Sequence, residues 1–218
     1  MVIIFDLDDT LYEEMRYVKS GFNSVASHLS YLFKIKKKTI YNRLLKVLKE
    51  NGRGKVFNII CSYYKFRKKN LVKDLINIYR SHKPLIKLKK ETIKMLEYYS
   101  GYNKYIITDG NYLVQKKKVK YLRLSNYFKK IFYTNFYGVK YNKPSLFCFN
   151  KIKKLEKCDW SDLVYVGDNP YKDFINCNKK KILTIRLMQG QYKSLKVKRI
   201  QDAKFKISHL LLLKKIIN

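Results

Sequence analysis

This chain of 218 residues contains no long apolar run and no closely spaced pair of cysteines. No stretch approaches the roughly 18 apolar residues that a membrane-spanning helix needs. The apolar residues 2–5 follow no basic segment and meet Asp6 at once, unlike a signal peptide. The four cysteines form no C-x-x-C pair, which argues against a zinc knuckle and a disulfide framework. We therefore expect a soluble cytoplasmic protein with reduced thiols and no membrane partner.

Acidic residues are also scarce. The chain has 16 Asp and Glu against 49 Lys and Arg, a formal charge of +33. Such an excess is typical of proteins that bind phosphate backbones. Here the lysines are spread along the whole chain, together with other residues of A/T-rich codons, so coding bias is the favoured explanation. We expect nucleic acid to bind through non-specific charge only, and small anions to be drawn toward any cleft.

The pattern of apolar residues divides the chain into segments of different type. Residues 2–5 have the composition of a buried strand, residues 15–85 have helical spacing, and strands alternate with helices from about residue 86. This alternation predicts right-handed crossovers and a parallel sheet. The predicted fold class is therefore α/β: a Rossmann-like parallel sheet with helices on both faces, formed by residues 1–14 and 86–218, plus an inserted all-helical domain at 15–85.

Individual elements follow from the same periodicities. The pattern predicts strands at 104–108, 131–134, 163–166 and 182–187, and helices at 91–99, 112–124, 145–155 and 170–177. Residues 188–206 are basic and weakly periodic, and residues 207–217 are predicted to form a closing helix. No function is drawn from the tail after Leu187.

Acidic residues follow two of the predicted strands. Asp6 and Asp8 come directly after the first strand, and Asp168 follows the strand at 163–166. Ligands of open parallel sheets bind beyond the carboxyl ends of the strands. Because side chains alternate in extended backbone, Asp6 and Asp8 are expected to share one small space, as in a Mg²⁺ site or an acid/base pair. One such acid could simply cap a turn. Three at strand ends in so basic a chain predict a metal site.

Two further polar positions are weaker signals. Thr108 ends a predicted strand and is followed by Asp109 and Gly110, whose N–H groups lie near a helix N-terminus that favours anions. By itself Thr108 could simply start a turn. Lys143 precedes a predicted helix, and a single lysine in this chain is more often a surface residue. Thr108 and Lys143 become informative only because of their order along the chain relative to the acids.

Taken together, the motifs resemble those of the haloacid dehalogenase-like (HAD) hydrolase superfamily. They are Asp6-x-Asp8-x-Thr10, Thr108, Lys143, and Gly167-Asp168 with Asp173. The resemblance extends from Val2 to about Leu187, and residues 15–85 occupy the place of the family's helical cap, the type inserted after the first motif. Dehalogenases lack a second acid in the first motif, so Asp8 favours the phosphatase and nucleotidase-like branches.

The resemblance implies a Mg²⁺-dependent phosphatase that hydrolyses a small phosphorylated metabolite, either a sugar phosphate or a nucleoside monophosphate. In this family pattern Asp6 attacks phosphorus and forms an aspartyl-phosphate. Asp8 serves as general acid and then as general base, and Lys143 pairs with both the phosphate and Asp6.

The resemblance also implies the binding residues. Thr108 and the N–H groups of Asp109 and Gly110 would bind the phosphoryl oxygens. The Mg²⁺ ligands would be Asp6, the backbone carbonyl of Asp8, and Asp168, with Asp173 the less direct carboxylate.

Two alternatives stay open on the sequence alone. A phosphomutase shares this core and the covalent intermediate. A basic nucleic-acid-binding protein, or a phosphatase of polynucleotide ends, would use the positive charge, although no nucleic-acid-binding motif is present. A non-catalytic scaffold is disfavoured, because every expected catalytic position holds a competent residue. Neither the exact substrate nor the oligomeric state follows from the sequence.

Overall fold

The computed structural model describes residues 1–217. The described residues form two compact units, one of residues 1–14 and 86–217 and the other of Met15–Leu85. The first unit is α/β and the second is all-helical. No helix within residues 1–217 is long and apolar enough to cross a membrane, and the four cysteines are free thiols.

Within residues 1–217 a six-stranded, all-parallel sheet forms the centre of the α/β unit. The strands are β1 (Val2–Phe5), β2 (Asn103–Thr108), β3 (Lys130–Tyr133), β4 (Leu163–Gly167), β5 (Leu183–Leu187) and β6 (Phe205–Ile207). Their order across the sheet is β3-β2-β1-β4-β5-β6. β1 and β4 are buried along their whole length because they are interior strands with both faces covered. The predicted parallel α/β fold is confirmed.

Four helices make up most of the all-helical unit: α1 (Glu14–Phe33), α2 (Lys37–Asn51), α3 (Val56–Tyr63) and α4 (Leu71–Ser81). Each is amphipathic, and their apolar faces share one core that includes Val25, Leu29, Leu44, Ile60 and Leu75. This core is separate from that of the sheet, so the helical unit has its own hydrophobic interior.

In the described part of the α/β unit the α-helices are α5 (Lys90–Tyr98), α6 (Tyr112–Tyr121), α7 (Thr134–Tyr137), α8 (Phe147–Glu156) and α9 (Ile175–Lys179). One face of the sheet packs against α8 and α9 through a core that includes Ile4, Tyr105, Phe149, Tyr165 and Phe174. The helix α6 begins a few residues after β2 ends, which brings its first turns to the carboxyl edge of the sheet.

Two predicted elements near the C-terminus are wrong. Residues 207–217 form no α-helix: the sixth strand ends at Ile207, and Leu210–Lys215 is a 3₁₀ helix. The predicted helix at 170–177 is a turn up to Phe174, followed by the short helix α9. In the latter case the Asn169 side-chain oxygen accepts from the Tyr171 N–H, and the Asp173 carboxylate accepts from the Asn169 N–H. Such local bonds between side chains and backbone compete with helix formation.

Candidate active site

The candidate site lies at the carboxyl edge of the sheet, around the strand pair β1 and β4. After β1 the chain adds β2 and then β3 on one side of it, and β4, β5 and β6 are added in turn on the other side. The direction of winding therefore reverses between β1 and β4. Open parallel sheets bind their ligands at this reversal. Asp6 directly follows β1 and Asp168 directly follows β4, so both acids stand at this position.

Three buried carboxylates meet there. Asp6, Asp168 and Asp173 each offer a carboxylate oxygen, and these oxygens lie within 4.8 Å of one another. The three residues are only 4%, 4% and 2% exposed. Buried acids this close are costly unless a cation or a proton neutralises them.

Their electrostatics show this cost. Burial, with the neighbouring Asp6 and Asp173 carboxylates adding to it, raises the pKa of Asp168 to about 9. Burial also raises the pKa of Asp6 to about 7, an effect that Lys143 opposes and Asp173 strengthens. A divalent cation among these oxygens would remove the repulsion. The donor set is all oxygen, which fits a hard ion such as Mg²⁺.

Lys143 supplies the positive charge of the cluster. Its Nζ lies 2.6 Å from Asp6 Oδ1 and 2.8 Å from Asp173 Oδ1, and it donates to the Tyr165 hydroxyl at 3.0 Å. Burial alone would lower the pKa of Lys143, but the Asp173 and Asp6 carboxylates outweigh it and raise that pKa well above its ordinary value. The ammonium is therefore a fixed positive charge next to Asp6.

Asp173 is more completely hydrogen-bonded than the other two acids. Besides Lys143, the Tyr165 hydroxyl donates to its Oδ1 and the Asn169 N–H donates to its Oδ2, both at 2.9 Å. Gly167 makes room for this arrangement, because a Cβ there would stand 2.5 Å from Asp173 Oδ2. Both carboxylate oxygens of Asp173 therefore already accept hydrogen bonds. This agrees with a carboxylate that supports the metal ligands and does not bind the metal directly.

Asp8 lies outside this three-acid cluster. Its Oδ1 and Oδ2 are 2.7 and 2.9 Å from Lys118 Nζ, and it also accepts from the Tyr12 hydroxyl at 2.5 Å and from Gln115 Nε2 at 2.8 Å. Asp8 is thus paired with its own set of donors, and that Asp6 and Asp8 share one small space stays a prediction. The buried ammonium of Lys118 contacts both oxygens of the Asp8 carboxylate and fixes its orientation.

These contacts also set the charge of Asp8. Burial by itself would raise its pKa, but Lys118, Tyr12 and Gln115 together outweigh burial and lower it. In the free protein Asp8 is thus a carboxylate with three different donors around it.

Thr108 lies at the end of β2 and shares a hydrogen-bond donor with Asp8. It is buried, and its hydroxyl accepts a hydrogen bond from Gln115 Nε2 at 2.6 Å. Gly110, two residues on, has a φ of +113°, a backbone conformation that favours glycine. Its N–H donates to Asn135 Oδ1 at 3.4 Å, a long bond that a stronger acceptor could replace.

The Asp109 carboxylate connects the loop after β2 to its surroundings. It accepts from the Thr134 hydroxyl at 2.8 Å and from the Lys143 N–H at 3.2 Å, and it forms an ion pair with Lys172 at 3.0 Å. Burial would raise its pKa, but Lys143 and Lys172 outweigh burial and lower it. Asp109 thus fixes the backbone that carries Lys143, in addition to the backbone role predicted for it.

Comparison with known proteins decides the family. The family model described as haloacid dehalogenase-like hydrolase matches residues 3–187, most of the chain and all the residues of the candidate site. The chain belongs to the haloacid dehalogenase-like (HAD) hydrolase family. The resemblance found in the sequence motifs is confirmed.

Similar proteins add detail to this HAD hydrolase. A glyceraldehyde 3-phosphate phosphatase of Pyrococcus furiosus is 27% identical over 228 residues, covering 96% of this chain and 89% of its own length. A protein of the same name from Methanocaldococcus jannaschii is 28% identical over 200 residues, covering 88% and 87%. The crystal structure of a HAD phosphatase from Thermococcus onnurineus, 22% identical, has a TM-score of 0.64 and covers 100% of this chain and 97% of its own, which shows a shared fold.

Sequence reasoning missed several residues of this HAD site. Tyr12, Gln115 and Lys118 contact Asp8, and Lys172 contacts Asp109. The spacing of Gln115 and Lys118, three residues apart on a helix that begins just after Thr108, is a signal that places both on one helix face. No comparable signal separates Lys172 from the many surface lysines.

The tail after β5 also reaches the first motif. Gln189 Nε2 donates to the carbonyl oxygens of Asp9 and Thr10 at 2.6 and 3.2 Å. Gly190 packs so closely against Asp9 that a Cβ there would collide with its carboxylate. The tail therefore braces the turn that follows Asp8.

Proposed function

We propose that this HAD hydrolase is a Mg²⁺-dependent phosphatase that releases phosphate from a small phosphorylated metabolite through an aspartyl-phosphate on Asp6. The observation that carries the proposal is the environment of Asp6. A buried carboxylate has the Lys143 ammonium at 2.6 Å and two further carboxylates within 4.8 Å. This arrangement can hold both a cation and a phosphate dianion next to one nucleophile.

In the first half-reaction an Asp6 oxygen attacks phosphorus. The new bond joins that oxygen to phosphorus, the bond from phosphorus to the leaving oxygen breaks, and Asp8 gives its proton to that oxygen. Lys118 favours ionised Asp8 in the free protein, whereas a bound phosphate dianion favours its protonated form. Thr108 and Lys143 donate to the phosphoryl oxygens and reduce the repulsion that the attacking carboxylate meets.

In the second half-reaction water replaces Asp6. The Asp8 carboxylate takes a proton from a water molecule whose oxygen attacks phosphorus, and the bond between phosphorus and Asp6 breaks. The products are inorganic phosphate and the original Asp6 carboxylate, and Asp8 again holds the proton that it gave up in the first half-reaction. One acid therefore serves both halves of the cycle.

Asp6, Asp168 and the backbone carbonyl of Asp8 are the groups that would hold Mg²⁺, with Asp173 behind them. When bound, the ion supplies positive charge that offsets the negative charge of the phosphoryl group. The raised pKa values of Asp168, about 9, and Asp6, about 7, support this assignment, because they reflect carboxylates that lack such a charge.

The similar proteins support a short sugar phosphate as substrate. Both archaeal relatives bear the name glyceraldehyde 3-phosphate phosphatase, so we include this compound first among the candidates. The helical unit of residues 15–85 follows the first motif directly in the chain, and we assign it the role of a cap that selects the leaving group.

A phosphate-release screen tests the proposal. The purified protein is assayed with glyceraldehyde 3-phosphate, other sugar phosphates and nucleoside monophosphates, with Mg²⁺ and with EDTA. We expect Mg²⁺-dependent release from at least one of them, and we expect Asp6→Asn to abolish it.

The matched control is Asp159→Asn. Asp159 precedes the start of β4, at the end of the strand away from the candidate site, and its side chain is 85% exposed. Its loss should leave turnover unchanged. Wild-type turnover by Asp6→Asn would contradict the covalent scheme. Turnover that requires a bisphosphate and yields no net inorganic phosphate would identify a phosphomutase instead.

A further inference from the structure

Two side chains of α6 are buried at the candidate site, although nothing in the reaction outlined above requires them to touch substrate. Gln115 and Lys118 are 2% and 3% exposed, on a helix that is otherwise rich in exposed lysines. Lysine is rarely buried unless it is paired, because removing an ammonium from water is costly. A buried lysine on this helix therefore needs a specific partner.

That partner is Asp8. Lys118 Nζ contacts both oxygens of the Asp8 carboxylate, at 2.7 and 2.9 Å, and Glu14 Oε1 lies farther away at 3.7 Å. The contact with both oxygens fixes the plane of the carboxylate as well as its position. The Tyr12 hydroxyl also donates a hydrogen bond to Asp8 Oδ1, at 2.5 Å, and restrains the carboxylate further.

Gln115 extends this network to the next motif. Its Nε2 donates to Asp8 Oδ2 at 2.8 Å and to Thr108 Oγ1 at 2.6 Å. One amide nitrogen thus connects the acid that follows β1 with the hydroxyl that ends β2. Gln115 therefore bridges the proposed proton donor and a proposed phosphate-binding group.

We propose that Lys118 and Gln115 are positioning residues for proton transfer: they hold the Asp8 carboxyl group toward the oxygen of the leaving group, and Gln115 keeps Thr108 in register with it. The inference rests on the proposed phosphatase function. Neither residue is assigned a contact with the reacting atoms, so their effect passes through Asp8 and Thr108.

The chemistry of the leaving group makes this role measurable. An alkoxide leaving from a sugar phosphate is strongly basic and needs a proton as it departs. A p-nitrophenolate ion is stable without one. Misplacing the proton donor should therefore slow the hydrolysis of an alkyl phosphate much more than that of p-nitrophenyl phosphate. A general loss of folding or phosphate binding would slow both equally.

The test compares kcat/KM for glycerol 3-phosphate and p-nitrophenyl phosphate, because this ratio reports the steps up to departure of the leaving group. For Lys118→Met we expect a loss of roughly 100-fold with the alkyl phosphate and less than about tenfold with the aryl phosphate. Lys118→Arg should restore part of the alkyl activity. Lys120→Met, which removes an exposed lysine from the same helix, is the matched control and should change neither value.

Gln115→Leu provides a second variant, because it creates no unpaired buried charge and should fold even if Lys118→Met does not. It should show the same preference for the aryl substrate to a smaller extent. Equal losses with both substrates in the folded variants would overturn the inference while leaving the phosphatase proposal intact. A wild-type protein that hydrolyses neither these probes nor the metabolite panel would overturn the proposed function and this inference with it.

Discussion

The Lys143 ammonium and the Asp6 carboxylate form an ion pair of 2.6 Å in which both side chains are almost fully buried. The pair joins the loop before α8 to the end of β1, two segments 137 residues apart in the chain. A second acid, Asp173, shares the same ammonium. The nucleophile proposed for this enzyme is thus held by a cation that the fold delivers from a distant segment.

Replacing Lys143 tests what this cation does. Lys143→Met should reduce kcat/KM for phosphate release by roughly 100- to 1,000-fold, since an electrostatic contact to the phosphoryl group and to its nucleophile is lost. Steady-state kinetics with the best substrate of the panel measures it. Lys140→Met, an exposed lysine three residues earlier, is the control and should retain wild-type values. A Lys143→Met protein as active as the control would contradict the assignment.

The acid cluster predicts an unusual dependence of stability on pH. The pKa of Asp168 is raised to about 9 in the folded protein, above the ordinary value of 3.8. The folded state therefore binds more protons than the unfolded state between about pH 4 and pH 9, so this residue destabilises the metal-free fold increasingly as pH rises through that range. Asp168→Asn removes the effect, and its stability advantage over wild type should grow from pH 4 toward pH 9.

Urea denaturation of the metal-free proteins at several pH values measures this advantage. Added Mg²⁺ should stabilise the wild type more than Asp168→Asn, because the variant lacks one of the proposed ligands. An advantage that is constant with pH would contradict the repulsion described here, and equal stabilisation by Mg²⁺ would contradict the assignment of Asp168 as a ligand.

The tail after β5 depends on one buried ion pair. Arg186 is fully buried, and its guanidinium contacts Asp202 at 3.0 Å and the carbonyl oxygens of Tyr192 and Leu195. Asp202→Asn leaves that buried charge uncompensated and should lower the free energy of unfolding by about 3 kcal/mol. Lys206→Met removes only the exposed partner of Asp202 and should cost less than about 1 kcal/mol. Chemical denaturation distinguishes the two, and equal effects would contradict this account.

The sheet was largely predictable from sequence because its interior strands are buried on both faces. Runs such as residues 2–5 and 163–166 are almost continuously apolar, and the helices between them have a clear period. The edge strand β6 was missed because it is only three residues long and two of them are exposed, so it has no apolar run. The predicted closing helix failed for a related reason: four successive leucines are compatible with helical spacing but do not determine it.

The acids at the strand ends were also predictable, since their place depends only on the sheet and on the chain order. The structure brings Asp6, Asp168 and Asp173 together. The ion pair between Asp8 and Lys118 was not predictable, because Lys118 is one lysine among many and pairs with Asp8 only when α6 buries it. Buried polar networks combine residues from distant segments, and a sequence pattern carries little information about which of them meet.

The most direct test of the central claim is to trap the phosphorylated enzyme. The protein is mixed with substrate and Mg²⁺, quenched with acid within the first turnover and reduced with borohydride, which converts an aspartyl-phosphate to homoserine. Mass spectrometry then locates the change. We expect homoserine at Asp6, formed as fast as turnover and absent without substrate. Turnover without modification of Asp6, or modification at another carboxylate, would contradict it.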